Sequence, residues 1–446
     1  MRLLVVVLFM LTNTLSAQTY LIKDVNIITF DIENHVLENQ TIFVKDGIIQ
    51  SIGSNLEVAA DSVFEGGGKY ILPGLAEMHS HIPIATNGDF TYLEDIMWLY
   101  LANGVTTVRG MIGHPSHLEL REKIKKGSII GPKIFAAGPS LNGNSVKSSE
   151  HAKQLVEEQA EAGYDHLKLH PGLNMDKFLA IAETAKERDI KMGGHVSLDV
   201  GLENSILHGY RSIEHMDGYL EAMLPNEDFK DSDKAGPFSM KLTPEADLNK
   251  LQELVSLTKN HEVAVAPTMT LFEHFFGYIP ATELKDRPEM KYLPKDQIEK
   301  WEEQKLKLEA DGVLDESIVK PYLELREKIL MALYDADVLI LLSSDSPQVF
   351  NVPGFSTHHE LASMQKAGMK PIDILKSGSK NVATYFNVET FGEIKEGMAA
   401  DFLMVSDNPL DNLSVLKELD GIFLNGQYFD SAKIKTELKR IEDKNK

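Results

Sequence analysis

Between Ile71 and Asp345 the chain repeats one pattern: a short apolar run, a loop, then an amphipathic helical stretch. The apolar runs end near His81, Arg109, Gly138, His170, His195, His215, Thr268 and Asp345. Between them, segments such as SSEHAKQLVEEQAEAGY and NMDKFLAIAETAKERDI carry apolar residues three and four apart, the spacing of a single helix face. Eight strand–helix units in series are met most economically by an α/β fold, a (β/α)8 TIM barrel. Such barrels place their chemistry where the strands end, so the residues at those ends carry the most information.

The flanks follow a different pattern. Residues 18–70 read as short strands, and Asp46-Gly47 is a hairpin signal. After Glu389 short strands return in FGEIKEGMAADFLMVSD and GIFLNGQYF. The expectation is a barrel over 71–388 and one small composite β-sandwich domain formed by 18–70 together with 389–446. Residues 271–327 form an oversized connection rich in Lys and Glu and broken by Pro288, Pro294 and Pro321. A helical lid over the barrel mouth and a solvated excursion are the two readings of it.

Composition removes whole classes of function. The 446 residues are 43% hydrophobic and 25% charged, enough for a large catalytic domain and a smaller one. A formal net charge of −22 argues against a nucleic-acid partner, which needs a basic footprint. With no cysteine, disulfides, thiolate-bound zinc, iron–sulfur clusters and a thiol nucleophile are excluded. Arg2 followed by the apolar run Leu3 to Leu11 and the small, polar stretch to Ala17 reads as a signal peptide over 1–17. That run is shorter than the roughly 20 apolar residues of a spanning helix. A mature protein without a membrane anchor, periplasmic or extracellular, is expected.

Six strand-end residues supply metal-ligand chemistry. His79 and His81, two apart on a strand, face the same side, and neutral imidazole is a good zinc ligand. Lys168 lies on a strand where an inward ammonium needs a partner. Burial lowers a lysine pKa, and the neutral amine can take up carbon dioxide as a carbamate, a carboxylate-like bridge. A lysine paired with a nearby acid is the competing reading. His195 and His215 end further strands; each alone reads more readily as a hydrogen-bonded core histidine, and together, in order on consecutive strands, they look like two more ligands. Asp345 follows the apolar run VLILL, where a buried carboxylate is costly unless a cation or donor meets it. Its alternative is an Asx-type turn.

The segments LPGLAEMHSHIP, ANGVTTVRGM, YDHLKLH, MGGHV, SIEHM, LLSSDSP and GEIKEGMAADFLMVSDNPL together resemble the amidohydrolase superfamily, more narrowly its imidazolonepropionase-like and prolidase-like members. The resemblance implies a barrel flanked by a composite β domain and two divalent metal ions, expected to be zinc. It makes His79 and His81 ligands of the first ion, and His195 and His215 ligands of the second. Lys168 is implied as the N6-carboxylated bridge, and Asp345 as the catalytic aspartate and a further metal ligand. Glu77 and Gly110 depart from the pattern, each standing where an aspartate is common.

The implied reaction is amide hydrolysis by a metal-bridging hydroxide, with Asp345 passing a proton to the departing amine. His170 is a candidate substrate contact, Tyr219 a candidate oxyanion donor, and Arg109 a candidate partner for a substrate carboxylate, with a structural ion pair as its rival role. Small molecules or short peptides are the expected partners: dipeptides or N-acyl amino acids first, cyclic amides, imidazolone-like rings, esters or lactones as the alternative. A non-catalytic ligand-binding barrel is the reading from another class. Homo-oligomerisation is left open.

Overall fold

The computed structural model describes residues 18–30 and 36–446, so the signal-like segment 1–17 lies outside the described residues. No described helix is long and apolar enough to cross a membrane.

The N-terminal flank forms β1 (Thr19–Ile28), β2 (Val36–Lys45), β3 (Ile48–Gly53) and β4 (Ser62–Pro73). Asp46 and Gly47 join β2 to β3 with φ of 53° and 72°, the paired left-handed turn that matches strand twist and that Asp-Gly adopts readily.

From Leu75 the strands become short, parallel and buried. One sheet holds β5 (Leu75–Ser80), β6 (Val105–Gly110) and β7 (Lys133–Ala136). A second holds β8 (His166–Leu169), β9 (Lys191–Gly194), β10 (Tyr210–Glu214) and β11 (Ala264–Ala266). Every residue of β5, β6 and β8 is buried, as expected of parallel strands covered on both faces. A parallel bridge between Ala137 and His166 links the two sheets. The run VLILLSSDSP, expected as an eighth strand, forms only the parallel bridges Val265–Ile340 and Ser80–Ser346. It still lies between two strands: the Leu341 amide donates to the Val265 carbonyl at 2.9 Å, and the Met78 and His81 amides donate to the Leu342 and Ser346 carbonyls at 2.9 and 2.8 Å. The unit is a TIM-barrel-like α/β fold.

Helices return the chain between strands, and their ends are written locally. Ser148 caps the helix Ser149–Ala162 by accepting from the His151 amide, and Gly163 ends it at a φ of 84°. Asn174 caps Met175–Glu187 through the Lys177 amide. The long connection becomes a set of short turns followed by helices Lys295–Ala310 and Glu316–Asp335.

The C-terminal flank adds β12 (Phe402–Val405), β13 (Gly421–Leu424) and β14 (Gln427–Asp430). All seven flanking strands join in one sheet, ordered β14-β13-β12-β4-β1-β2-β3. The sandwich expected from the sequence is therefore one continuous sheet, because β4 is shared: parallel to β1 on one side and antiparallel to β12 on the other. It curls back on itself, since Ile49 on β3 exchanges backbone hydrogen bonds of 2.9 and 2.8 Å with Met398 and Gly397, just before β12. Ile22, Ile27, Val44, Ile71, Phe402 and Phe423 form the core of this second domain.

Candidate metal centre

The strand ends of the barrel bring the expected residues together. His79 and His81 lie at and just beyond the end of β5, Lys168 is on β8, His195 follows β9, His215 follows β10, and Asp345 ends the irregular run. Asp345 Oδ1 lies 3.2 Å from His81 Nε2 and 3.8 Å from His79 Nε2, and its Oδ2 lies 3.8 Å from His215 Nδ1. The rings of His79 and His195 each lie 4.6 Å from that of His215. His79, His81 and Asp345 alone place three ligand atoms within 4.8 Å of one another. Lys168 Nζ sits 3.4 Å from His79 Nε2, fully buried, and meets no carboxylate within ion-pair distance among the described residues.

Three of the four histidines are aimed by a second contact. His79 Nδ1 lies 2.8 Å from Glu214 Oε2, and His195 Nδ1 lies 2.6 Å from Asp217 Oδ2. A carboxylate can only accept, so the ring proton sits on Nδ1 and the Nε2 lone pair is left for a metal. Thr268 Oγ1 holds His215 Nδ1 at 2.8 Å. Burial, then the charge of Lys168, keeps His79 and His195 well below the ordinary imidazole range, and His81 at about 3. All are thus neutral, the ligating form. Burial also pulls the Lys168 amine down and pushes the Asp345 carboxyl up, each opposed by the other's charge. Neutral imidazoles, a buried carboxylate and a buried amine lacking an anion form a donor set that fits divalent metal ions.

Glu77 shows what its departure from aspartate does. Its carboxylate accepts from the His79 amide at 3.0 Å and the Ser344 amide at 2.9 Å, and the Ser344 hydroxyl also donates to it. It therefore ties β5 to the segment carrying Asp345. The Gln348 side-chain amide faces Asp345, and with its nitrogen on that side it donates to Oδ2 at 3.0 Å.

A cavity of about 650 Å³ opens above this floor. His81, His170, His195, His215 and Asp345 form its base, and Phe238, Phe275, Phe276 and Trp301 its walls. Phe275, Phe276 and Trp301 come from the long connection, which acts as a roof. A larger cavity of about 1210 Å³ lies at the opposite end, where the strands begin, lined by residues such as Lys191, Gly209, Arg211 and Val263. No ligand set converges there among the described residues, so its size carries no chemistry.

Two expected substrate contacts are corrected. Arg109 is fully buried: Nε donates to the Met78 carbonyl at 2.6 Å, Nη1 to Ser212 Oγ at 2.9 Å, and Nη2 to Glu214 at 2.9 and 3.0 Å. It holds the carboxylate that holds His79, which is its structural role. Tyr219 follows Gly218, whose φ of 83° turns the chain, and its hydroxyl donates to Thr258 Oγ1 at 2.6 Å. It is fully buried in the core and does not line the cavity. His170 does face the cavity, with Nδ1 held by Ser140 Oγ at 2.7 Å. Glu214 and Asp217 were not identified from sequence. Their only local signal is a charged residue beside a strand-end histidine, in IEHMD.

Comparison with known proteins agrees with this geometry. Ochratoxinase of Aspergillus niger is 22% identical over 437 residues, covering 86% of this chain and 80% of its own length. The structure of a Xaa-Pro dipeptidase with bound methionine superposes with a TM-score of 0.66 at 18% identity, over 93% of this chain and all of that one. A bottromycin amidohydrolase gives 0.72 at 18% identity, over 96% and 90%. Residues 70–428, most of the chain, match the amidohydrolase family. Members of that family are generally metal-dependent, in keeping with the donor set at the barrel mouth. The chain thus belongs to the amidohydrolase family and is a hydrolase acting on carbon–nitrogen bonds.

Proposed function

We propose that this protein is an exported amidohydrolase that cleaves the amide bond of dipeptides or N-acyl amino acids at a binuclear zinc centre. The observation that carries the reading is the convergence of His81, His195, His215 and Asp345 on the floor of a cavity sized for a small molecule, with His79 and the Lys168 amine buried directly beneath them. His79 and His81 would hold one ion, His195 and His215 the other, and a carboxylated Lys168 would bridge them. Bound ions of this kind acidify a water and polarise a carbonyl.

The chain's own groups do the rest. Glu214, Asp217 and Thr268 fix the rings, so the ligands do not reorganise during turnover. Asp345, raised towards neutrality by burial and oriented by Gln348, takes a proton from the attacking water and delivers it to the departing amine. His170 presents Nε2 to the cavity, where it donates to or accepts from the substrate. The names of its relatives, ochratoxinase and Xaa-Pro dipeptidase, support small amides as substrates. The N-terminal pattern supports export from the cell interior.

The test is a library of dipeptides and N-acyl amino acids offered to zinc-loaded protein, with released amine as the readout. Turnover of such amides is expected; turnover of cyclic amides or esters alone would overturn the substrate class. Reconstitution with and without bicarbonate tests the bridge. Full metal loading and full rate in the absence of carbon dioxide would show Lys168 to be unmodified.

A further inference from the structure

The wall beside His215 is built from aromatic rings, one of which is held at a conformational cost. Phe238 and Ser239 adopt φ, ψ of 49°, 33° and 57°, 18°, two consecutive non-glycine residues in the left-handed region. For a bulky residue this is a genuine outlier, sustained only where the surroundings determine it. They do so here. Ser239 Oγ donates to Glu221 Oε1 at 2.5 Å, and the Phe238 ring meets Phe272 edge-on at 4.9 Å and Phe276 at 5.6 Å. The ring lies 6.5 Å from that of His215 and forms part of the cavity wall. Phe272 is fully buried in the core, but Phe238 is only half-buried and keeps a surface facing the cavity. Phe275 and Trp301 extend the same wall from the roof, and Gln304 and Lys307 give it a polar rim.

An apolar aromatic wall contributes nothing to holding cations, so its complement is a group of the substrate. We infer that Phe238, with Phe275, Phe276 and Trp301, forms the specificity wall of the site and receives an aromatic side chain lying beside the scissile amide. The substrates are then aromatic N-acyl amino acids or dipeptides, in preference to small aliphatic ones. Edge-to-face and offset stacking favours a ring over an aliphatic group of similar area at such a wall. This rests on the amide-hydrolase reading given above, which it narrows.

The test compares N-acetyl-L-phenylalanine and N-benzoylglycine with N-acetylglycine, using zinc-loaded protein and released amine. One of the aromatic compounds should exceed N-acetylglycine by roughly tenfold or more in kcat/KM. Phe238→Ala should cut that preference to about threefold or less, and Phe238→Leu, which keeps apolar volume and loses the ring, should fall between. Calorimetric binding of the same three compounds to the Asp345→Asn protein reads the wall without turnover, and the same ranking is expected. Absence of hydrolysis of any dipeptide or N-acyl amino acid overturns the amide-hydrolase reading, while binding still decides the wall. Equal binding of all three compounds, or a preference that both Phe238 variants leave intact, overturns the wall.

Discussion

The floor of the cavity and its roof are built on opposite principles. On the floor, His79, His195 and His215 are each locked by a carboxylate or hydroxyl on the far ring nitrogen, and Glu77 and Arg109 hold the elements that carry them. The wall and roof offer rings rather than charges, and Phe238 is placed by packing against a strained backbone. A site that must hold cations needs ligands with no freedom, because misplacement is costly. A site that must accept a range of side chains needs only apolar area. On the proposed reading the strand-end residues carry the chemistry, and Phe238 with the rings of the long connection carries the selectivity.

The contrast can be broken at several points, the largest effect first. Asp345→Asn should lower turnover by about 10³-fold or more while metal stays bound, since the proton carrier is lost and the imidazoles remain. Metal analysis with steady-state kinetics checks it, and near-normal rates would remove Asp345 from its role. Arg109→Met should destabilise the fold by about 3–5 kcal/mol, because Glu214 would be left as an uncompensated buried charge. Chemical denaturation measures this; a variant of unchanged stability with weakened substrate binding would return Arg109 to the substrate. Glu214→Gln should weaken metal affinity by about 10–100-fold through a misaimed His79, which a metal titration reads directly.

A smaller effect tests the packing behind the floor. His358, on the helix Phe355–Ala367, is buried, and neither ring nitrogen has a hydrogen-bond partner among the described residues. Burial pushes it down to about 3 from an ordinary value of 6.5. Between those values the unfolded chain binds a proton that the folded chain refuses, so stability falls as pH drops from 6.5 towards 3. His358→Leu should flatten that slope and raise stability near pH 5 by about 1–2 kcal/mol. An unchanged pH profile in thermal melts would show that another group controls the acid limb.

Legibility differed between these regions for physical reasons. The strand–helix alternation and the Asp-Gly turn are local, and the structure has them where the residues indicated. The eighth run is apolar enough to read as a strand, and it does lie between β11 and β5, but it meets them only through isolated bridges. Arg109 was open to two readings because a strand-end arginine looks the same whether its guanidinium meets substrate or Glu214. Tyr219 was misplaced because its closeness in sequence to His215 does not show that its ring packs into the core against Thr258. Phe238 carried no signal at all, since left-handed backbone at a phenylalanine is imposed by its surroundings.

What the sequence determined by itself was the period of burial and the position of reactive side chains relative to strand ends, since both follow from backbone geometry within a few residues. That sufficed for an α/β fold with a second domain and for naming six strand-end residues that the structure brings close together. Tertiary structure alone decided which groups aim them. His79 meets Glu214 across 135 positions, and Glu77 meets Ser344 across 267. Contacts over such spans exist only once the strands are arranged side by side, because nothing in the local chain distinguishes a carboxylate that will face solvent from one that will face a histidine.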